Sequence, residues 1–170
     1  MTDQKQHQLG TSKDLLILEN YPDLTAAIAD MISQARMKVC IFSYELEPKI
    51  FHRESICNAI SQLIAANSRA KVQILVQDIE PVKKVDHCLV NLMRHLSSFV
   101  EIRKTAVEHS NFDHAFVTID DCGYYHQHPR TSRQYEVCYN NRNRVRLLQQ
   151  DFLKMWEQSL RATELLRLYI

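Results

Sequence analysis

His114-Ala115-Phe116-Val117-Thr118-Ile119-Asp120-Asp121 is the stretch whose reading decides the fold. It is apolar and β-branched through Ile119 and then turns abruptly acidic, which is how a buried strand running into a turn reads. Residues two apart on a strand share a face, so His114 and Phe116 point the same way. Asp121-Cys122-Gly123 supplies hairpin-turn chemistry, and Tyr124–Gln127 reads as the returning strand. A third short strand follows at Tyr135–Tyr139.

Working outward, the first two-thirds of the chain alternates helix and strand. Leu15–Leu18 is a short apolar run suited to an edge strand. Pro22-Asp23 opens a helix to about Ala35, with Leu24, Ala27, Ile28, Met31 and Ile32 on one face. Met37–Tyr44 reads as a buried strand, Glu54–Ala66 as a helix and Lys71–Gln77 as a strand. A helix runs from near Pro81 to about Leu96, and Phe99–Thr105 is a further strand. A last helix from about Arg144 carries Leu147, Leu148, Phe152, Leu153, Trp156 and Leu160. This alternation predicts an α/β fold: one mixed sheet flanked by helices on both faces. Residues 1–13 read as a flexible tail and 14–170 as a single domain.

The chain has 170 residues, enough for one real core. A net charge of +1 gives no strong nucleic-acid signal and no general attraction to anionic membranes. No apolar run approaches the ~18 residues of a membrane span. Only two glycines occur, Gly10 and Gly123, which excludes glycine-rich phosphate cradles. Five cysteines without close spacing suggest free thiols in a reducing cytoplasm. Cys40 and Cys138 read as small core residues, and Cys122, in the turn, as the exposed thiol.

The His114–Asp121 stretch resembles the His-x-Lys-x-x-x-x-Asp signature of the phospholipase D superfamily. His114 and Asp121 match its histidine and aspartate, and Phe116 stands at the lysine position. The order of elements is also similar to one superfamily half, from about Leu15 to Ser159. A glutamate in a strand (Glu136) and a helix with Phe152 and Trp156 follow the hairpin, as they do in such domains. The resemblance implies that His114 would attack phosphorus to form a phosphohistidine and that Glu136 would orient its ring. Asp121 would be largely structural. A second histidine, from another copy of the motif, would protonate the leaving oxygen. With one copy per chain, activity would require a symmetric homodimer bringing two His114 residues together.

Two departures set the functional expectation. The lysine is lost to Phe116, and His128-Pro129 stands where the family carries a Gly-Ser pair. Losing one preorganised donor to a transition-state oxygen costs ~3–4 kcal/mol. The sequence therefore points to a catalytically impaired, pseudoenzyme-like domain acting as an interaction or ligand-binding module. The alternatives are a divergent phosphodiesterase or nuclease, active as a homodimer through His114, and an accessory domain of another enzyme. His126 and His128 alternate on a strand and face one side. With His114, His109 or Asp121 they offer donor types that suit a transition metal, but no close ligand pair supports this, and neither metal nor cofactor is expected. Arg130 and Arg133 are the candidates to replace the missing lysine, since guanidinium grips phosphate in a bidentate way.

Overall fold

In the computed structural model, which describes residues 6–166, the elements follow the hydrophobic pattern closely. They are β1 (Leu16–Leu18), α1 (Tyr21–Gln34), β2 (Lys38–Ser43), α2 (Pro48–Phe51), α3 (Glu54–Ala66), β3 (Lys71–Val76), α4 (Glu80–Lys83), α5 (Cys88–His95), β4 (Val100–Lys104), β5 (Ala115–Ile119), β6 (Gly123–Gln127), β7 (Tyr135–Cys138), α6 (Arg142–Glu157) and β8 (Leu160–Arg161). The eight strands form one sheet in the order β1-β7-β6-β5-β2-β3-β4-β8. β2, β3 and β4 run parallel, and the remaining pairs are antiparallel.

Alternation along each strand assigns the two faces. Val39 and Ile41 of β2, Val72 and Ile74 of β3, and Val117 and Ile119 of β5 pack beneath α1, α3 and α5. Cys40, Phe42, Leu75, Phe116, Tyr124 and Cys138 face the other way, against Val145, Leu148, Phe152, Met155 and Trp156 of α6. β2 is buried on both sides, which explains its unbroken apolar run. This is the α/β architecture expected, with helices on both faces. Caps fix the helix starts: the Asn20 side chain accepts from Asp23 N ahead of α1, and Asn141 accepts from Arg144 N ahead of α6.

The structure corrects several readings. The helix expected from Pro81 to Leu96 is two, α4 and α5, because the His87 side chain accepts from Leu89 N and starts a new helix there. β8 and α2 are absent from the sequence reading; β8 is two exposed residues paired with Arg103 and Lys104, too short for a pattern to register. The cysteines are not all free: Cys57 of α3 and Cys88 of α5, far apart in sequence but brought together by helix packing, form a disulfide. Cys122 is buried rather than exposed, because the chain before β1 folds back over the turn. In that segment Gly10 N donates to Tyr139 O, Leu9 N donates to the Gln34 side chain, and His7 stacks on Tyr139. Part of the stretch read as a tail is thus held against the fold, while residues 1–5 lie outside the described ones.

The β5–β6 turn also works differently from its reading. Its left-handed residue is Asp120 (φ 51°), not Gly123. Gly123 instead sits at a close approach: a Cβ there would meet Leu9 Cδ1 at 2.5 Å and Met31 Sδ at 3.3 Å, so the Leu9 side chain would have to move. Asp120 ties the turn to β2: its carboxylate accepts from the backbone amides of Arg36 (3.0 Å), Met37 (2.9 Å) and Lys38 (3.0 Å). The motif-aligned Asp121 is exposed and pairs with Arg142.

Candidate functional site

Strand register gathers the site on the α6 face. Phe116 lies opposite His126 across β5–β6, and His126 lies opposite Glu136 across β6–β7. His114 immediately precedes β5. Its Nδ1 is 2.9 Å from His126 Nε2, and its ring stacks on His128 at 4.0 Å between centroids. Phe112 covers another side of the His114 ring at 4.8 Å. The structure therefore brings His114, His126 and His128 together.

Glu136 does not reach His114. His126 stands between them, its Nδ1 3.9 Å from Glu136 Oε2, beyond hydrogen-bond distance. The group that engages His126 Nδ1 is Arg144 of α6, at 3.2 Å. A guanidinium can only donate. Nδ1 of His126 therefore carries the lone pair, and in the neutral ring Nε2–H donates to His114 Nδ1. His114 then accepts at Nδ1 and holds its own proton on Nε2. His128 Nδ1–H donates to the Asp113 carbonyl at 2.9 Å, which fixes that tautomer too.

Burial first, then the Arg144 charge, pushes the His126 pKa down to about 4; His114 and His128 add to this. Burial and the neighbouring His128 also lower that of His114. The His126 shift makes stability depend on pH. An unfolded histidine titrates near ~6.5. Above that value the ring is neutral in both states and its contribution is complete. Between about 6.5 and about 4 the unfolded chain binds a proton that the folded chain refuses, so stability falls as pH falls. We expect the wild type to lose about 2 kcal/mol through this group between neutral pH and pH ~4.5. Urea melts of wild type and His126→Gln at both pH values check it; parallel losses in the two proteins would rule His126 out as the source.

Phe116, which the motif resemblance aligns with the lysine, is fully buried. It stacks on Phe42 (5.5 Å) and meets Phe152 edge-on (6.3 Å). The two arginines singled out as replacements are placed elsewhere. The Arg130 guanidinium lies 3.6 Å over the Tyr44 ring and pairs with Asp113, lining a cavity of about 290 Å³ with Tyr21, Glu45 and Gln127. Arg133 is exposed and makes no hydrogen bond or ion pair among the described residues. His109 bonds Gln158 instead of joining the cluster. Arg144 entered the sequence reading only as the approximate start of the last helix. Its signal was local: a cation in the first turn of a helix opposes the helix dipole, a rule seldom broken without a partner to compensate.

The fold has relatives among solved structures. TrmBL2, an archaeal chromatin protein whose structure shows a novel mode of DNA binding, aligns over 93% of this chain at 12% identity and a TM-score of 0.66; the chain spans only 57% of its length. Nuc from Salmonella typhimurium, a phospholipase D family member, aligns over 87% of this chain and 97% of its own (15% identity, TM-score 0.59). NucT from Helicobacter pylori aligns over 88% and 98% (17% identity, TM-score 0.57). Identities this low speak to fold alone, and that fold is phospholipase D-like. No curated protein matches the chain in sequence. Its own family is defined by sequence: residues 20–168 match the model of DUF7931, a domain of unknown function, and the chain belongs to that family.

Proposed function

We propose that this domain keeps a phospholipase D-like cleft for binding an anionic, phosphate-bearing ligand and has given up phosphodiester hydrolysis. The observation that carries the reading is Phe116. A fully buried aromatic ring occupies the position where the family's lysine would hold the phosphoryl oxygens. The hydrogen-bond chain supports it from a second direction. Arg144 sets His126, and His126 sets His114, so that the free nitrogen of His114 carries a proton. A nitrogen bonded to hydrogen has no lone pair with which to attack phosphorus. It can, however, donate to an anion, as can Arg144.

Purified protein is expected to show no hydrolysis of bis(p-nitrophenyl) phosphate or of DNA above the level of His114→Ala. Turnover that is robust in wild type and lost in His114→Ala would overturn the reading and favour a dimeric phosphodiesterase. That second reading has one observation in its favour. The likeness to Nuc and NucT runs through nearly their whole length, so one copy of this chain corresponds to one whole chain of each, the unit that a homodimer would double. Size-exclusion chromatography with light scattering, run beside the assay, separates an inactive monomer from an inactive dimer.

A further inference from the structure

His52, Cys57, His87 and Cys88 converge where α2, α3 and α5 meet, on the face of the sheet opposite α6. Nothing in the preceding function uses them. The two sulfurs are joined, with Cα atoms 6.5 Å apart. Ligand atoms of His52, His87 and Cys88 all lie within 4.8 Å of one another, the one such group of three among the described residues. The two imidazoles sit 5.2 Å apart between centroids.

The hydrogen bonds fix where the lone pairs are. The Leu46 carbonyl lies 3.1 Å from His87 Nε2 and can only accept, so Nε2 carries the proton. His87 Nδ1 then holds the lone pair and accepts from Leu89 N at 3.2 Å. His52 Nδ1 likewise accepts from Cys88 N at 3.0 Å. Both lone pairs therefore sit at the first turn of α5, beside the second sulfur of the disulfide. Metal-binding histidines characteristically donate their other ring N–H to a backbone carbonyl or carboxylate, as His87 does to Leu46. With the disulfide closed, the two imidazole lone pairs accept from the amides that open α5; with both sulfurs reduced, the four side chains offer the Cys₂His₂ donor set that tetrahedral zinc takes.

We propose that His52, Cys57, His87 and Cys88 form a zinc site gated by thiol redox state, of which the disulfide is the metal-free form. A dithiol reductant gives two electrons to the Cys57–Cys88 bond. That bond breaks, the reductant closes to its own disulfide, and its two protons pass to the freed sulfurs. Zn²⁺ then displaces both thiol protons and is held by two thiolates and two neutral imidazoles. With Zn–S about 2.3 Å, the sulfurs would stand roughly 3.8 Å apart, a separation that cysteines at this Cα distance reach by side-chain rotation. Metal binding competes with the Leu89 and Cys88 amides for the two lone pairs. His52 is exposed and offers the entry side.

Cobalt(II) is the probe. The full chain is reduced with a phosphine, freed of reductant under nitrogen, and titrated. The reduced protein is expected to bind one cobalt ion, with the visible bands of tetrahedral coordination and a sulfur-to-cobalt charge-transfer band, and zinc should bleach both. The oxidised protein should show neither. His52→Ala alters an exposed side chain and should weaken zinc by roughly tenfold or more in competition with a chromophoric chelator, while Cys57→Ser should lose most of the charge-transfer intensity. Should Cys57→Ser not fold, the comparison of oxidised with reduced wild type, together with His52→Ala, decides the matter. A reduced wild type without tetrahedral bands overturns the proposal and leaves a purely structural disulfide. Bands unchanged in His52→Ala overturn it as well.

Discussion

Phe116→Lys is expected to lower unfolding free energy by about 4 kcal/mol or more. Phe116 has no exposed surface and contacts the rings of Phe42, Phe112 and Phe152. Truncating a buried phenylalanine costs ~3–5 kcal/mol through lost transfer energy and the cavity left behind. Lysine retains some of that volume but must bury or extricate an ammonium, and an unpaired buried charge is expensive. Phe116→Leu is the control and should lose far less, since its side chain stays apolar and fills part of the space. Denaturant melts of the three proteins, with and without millimolar phosphate, check both parts of the claim. If the lysine variant melts with the wild type and gains stability from phosphate, the space around residue 116 admits an ammonium and an anion, and the reading of a filled site fails.

Asp120→Ala should cost about 3 kcal/mol, while Asp121→Ala should be close to neutral. The Asp120 carboxylate accepts from three consecutive backbone amides at the start of β2. Hydrogen bonds to a charged group contribute ~1.5–3 kcal/mol each, and water recovers part of this at a half-buried position. Alanine is additionally strained at φ 51°. Asp121 offers only an exposed pair with Arg142, worth ~0–1 kcal/mol. Asp120→Asn should fall between, because asparagine tolerates the left-handed conformation and keeps one acceptor oxygen. Equal losses at both aspartates would mean that the motif-aligned residue carries structural weight after all.

The same pair of residues shows where sequence reading stops. Helix α3 was legible to the residue, and β2 and β3 nearly so, because burial on one or both faces imposes a period that composition reveals. The alignment picked out Asp121 by its spacing from His114, but spacing says nothing about which of two adjacent aspartates turns inward. The positive φ at Asp120 decided that. The resemblance set Glu136 to orient the His114 ring, yet its neighbour is His126, because antiparallel register places His126 directly opposite Glu136. Register depends on turn geometry, which the 128–134 loop conceals: there Gln127 Nε2 donates to the carbonyls of both Arg130 and Ser132. Arg144 and the Cys57–Cys88 pair escaped for a related reason. Each depends on how a helix is laid over the sheet, and no one-dimensional pattern encodes that.

The sheet order carries a consequence for how the chain is made. Leu16 pairs with Val137, so among the described residues β1 meets its one sheet neighbour only after β2 to β6 have been synthesised. The parallel trio β2, β3 and β4 can assemble long before that, but β1 must wait as an unsatisfied ribbon. Closing so distant a pair is slow, and a lone apolar strand is what promiscuous strand-pairing seeks. β1 answers this by being only three residues long, with Leu15 and Ile17 left at the surface in the finished fold. A strand that must be exposed during synthesis is kept too brief to template anything else.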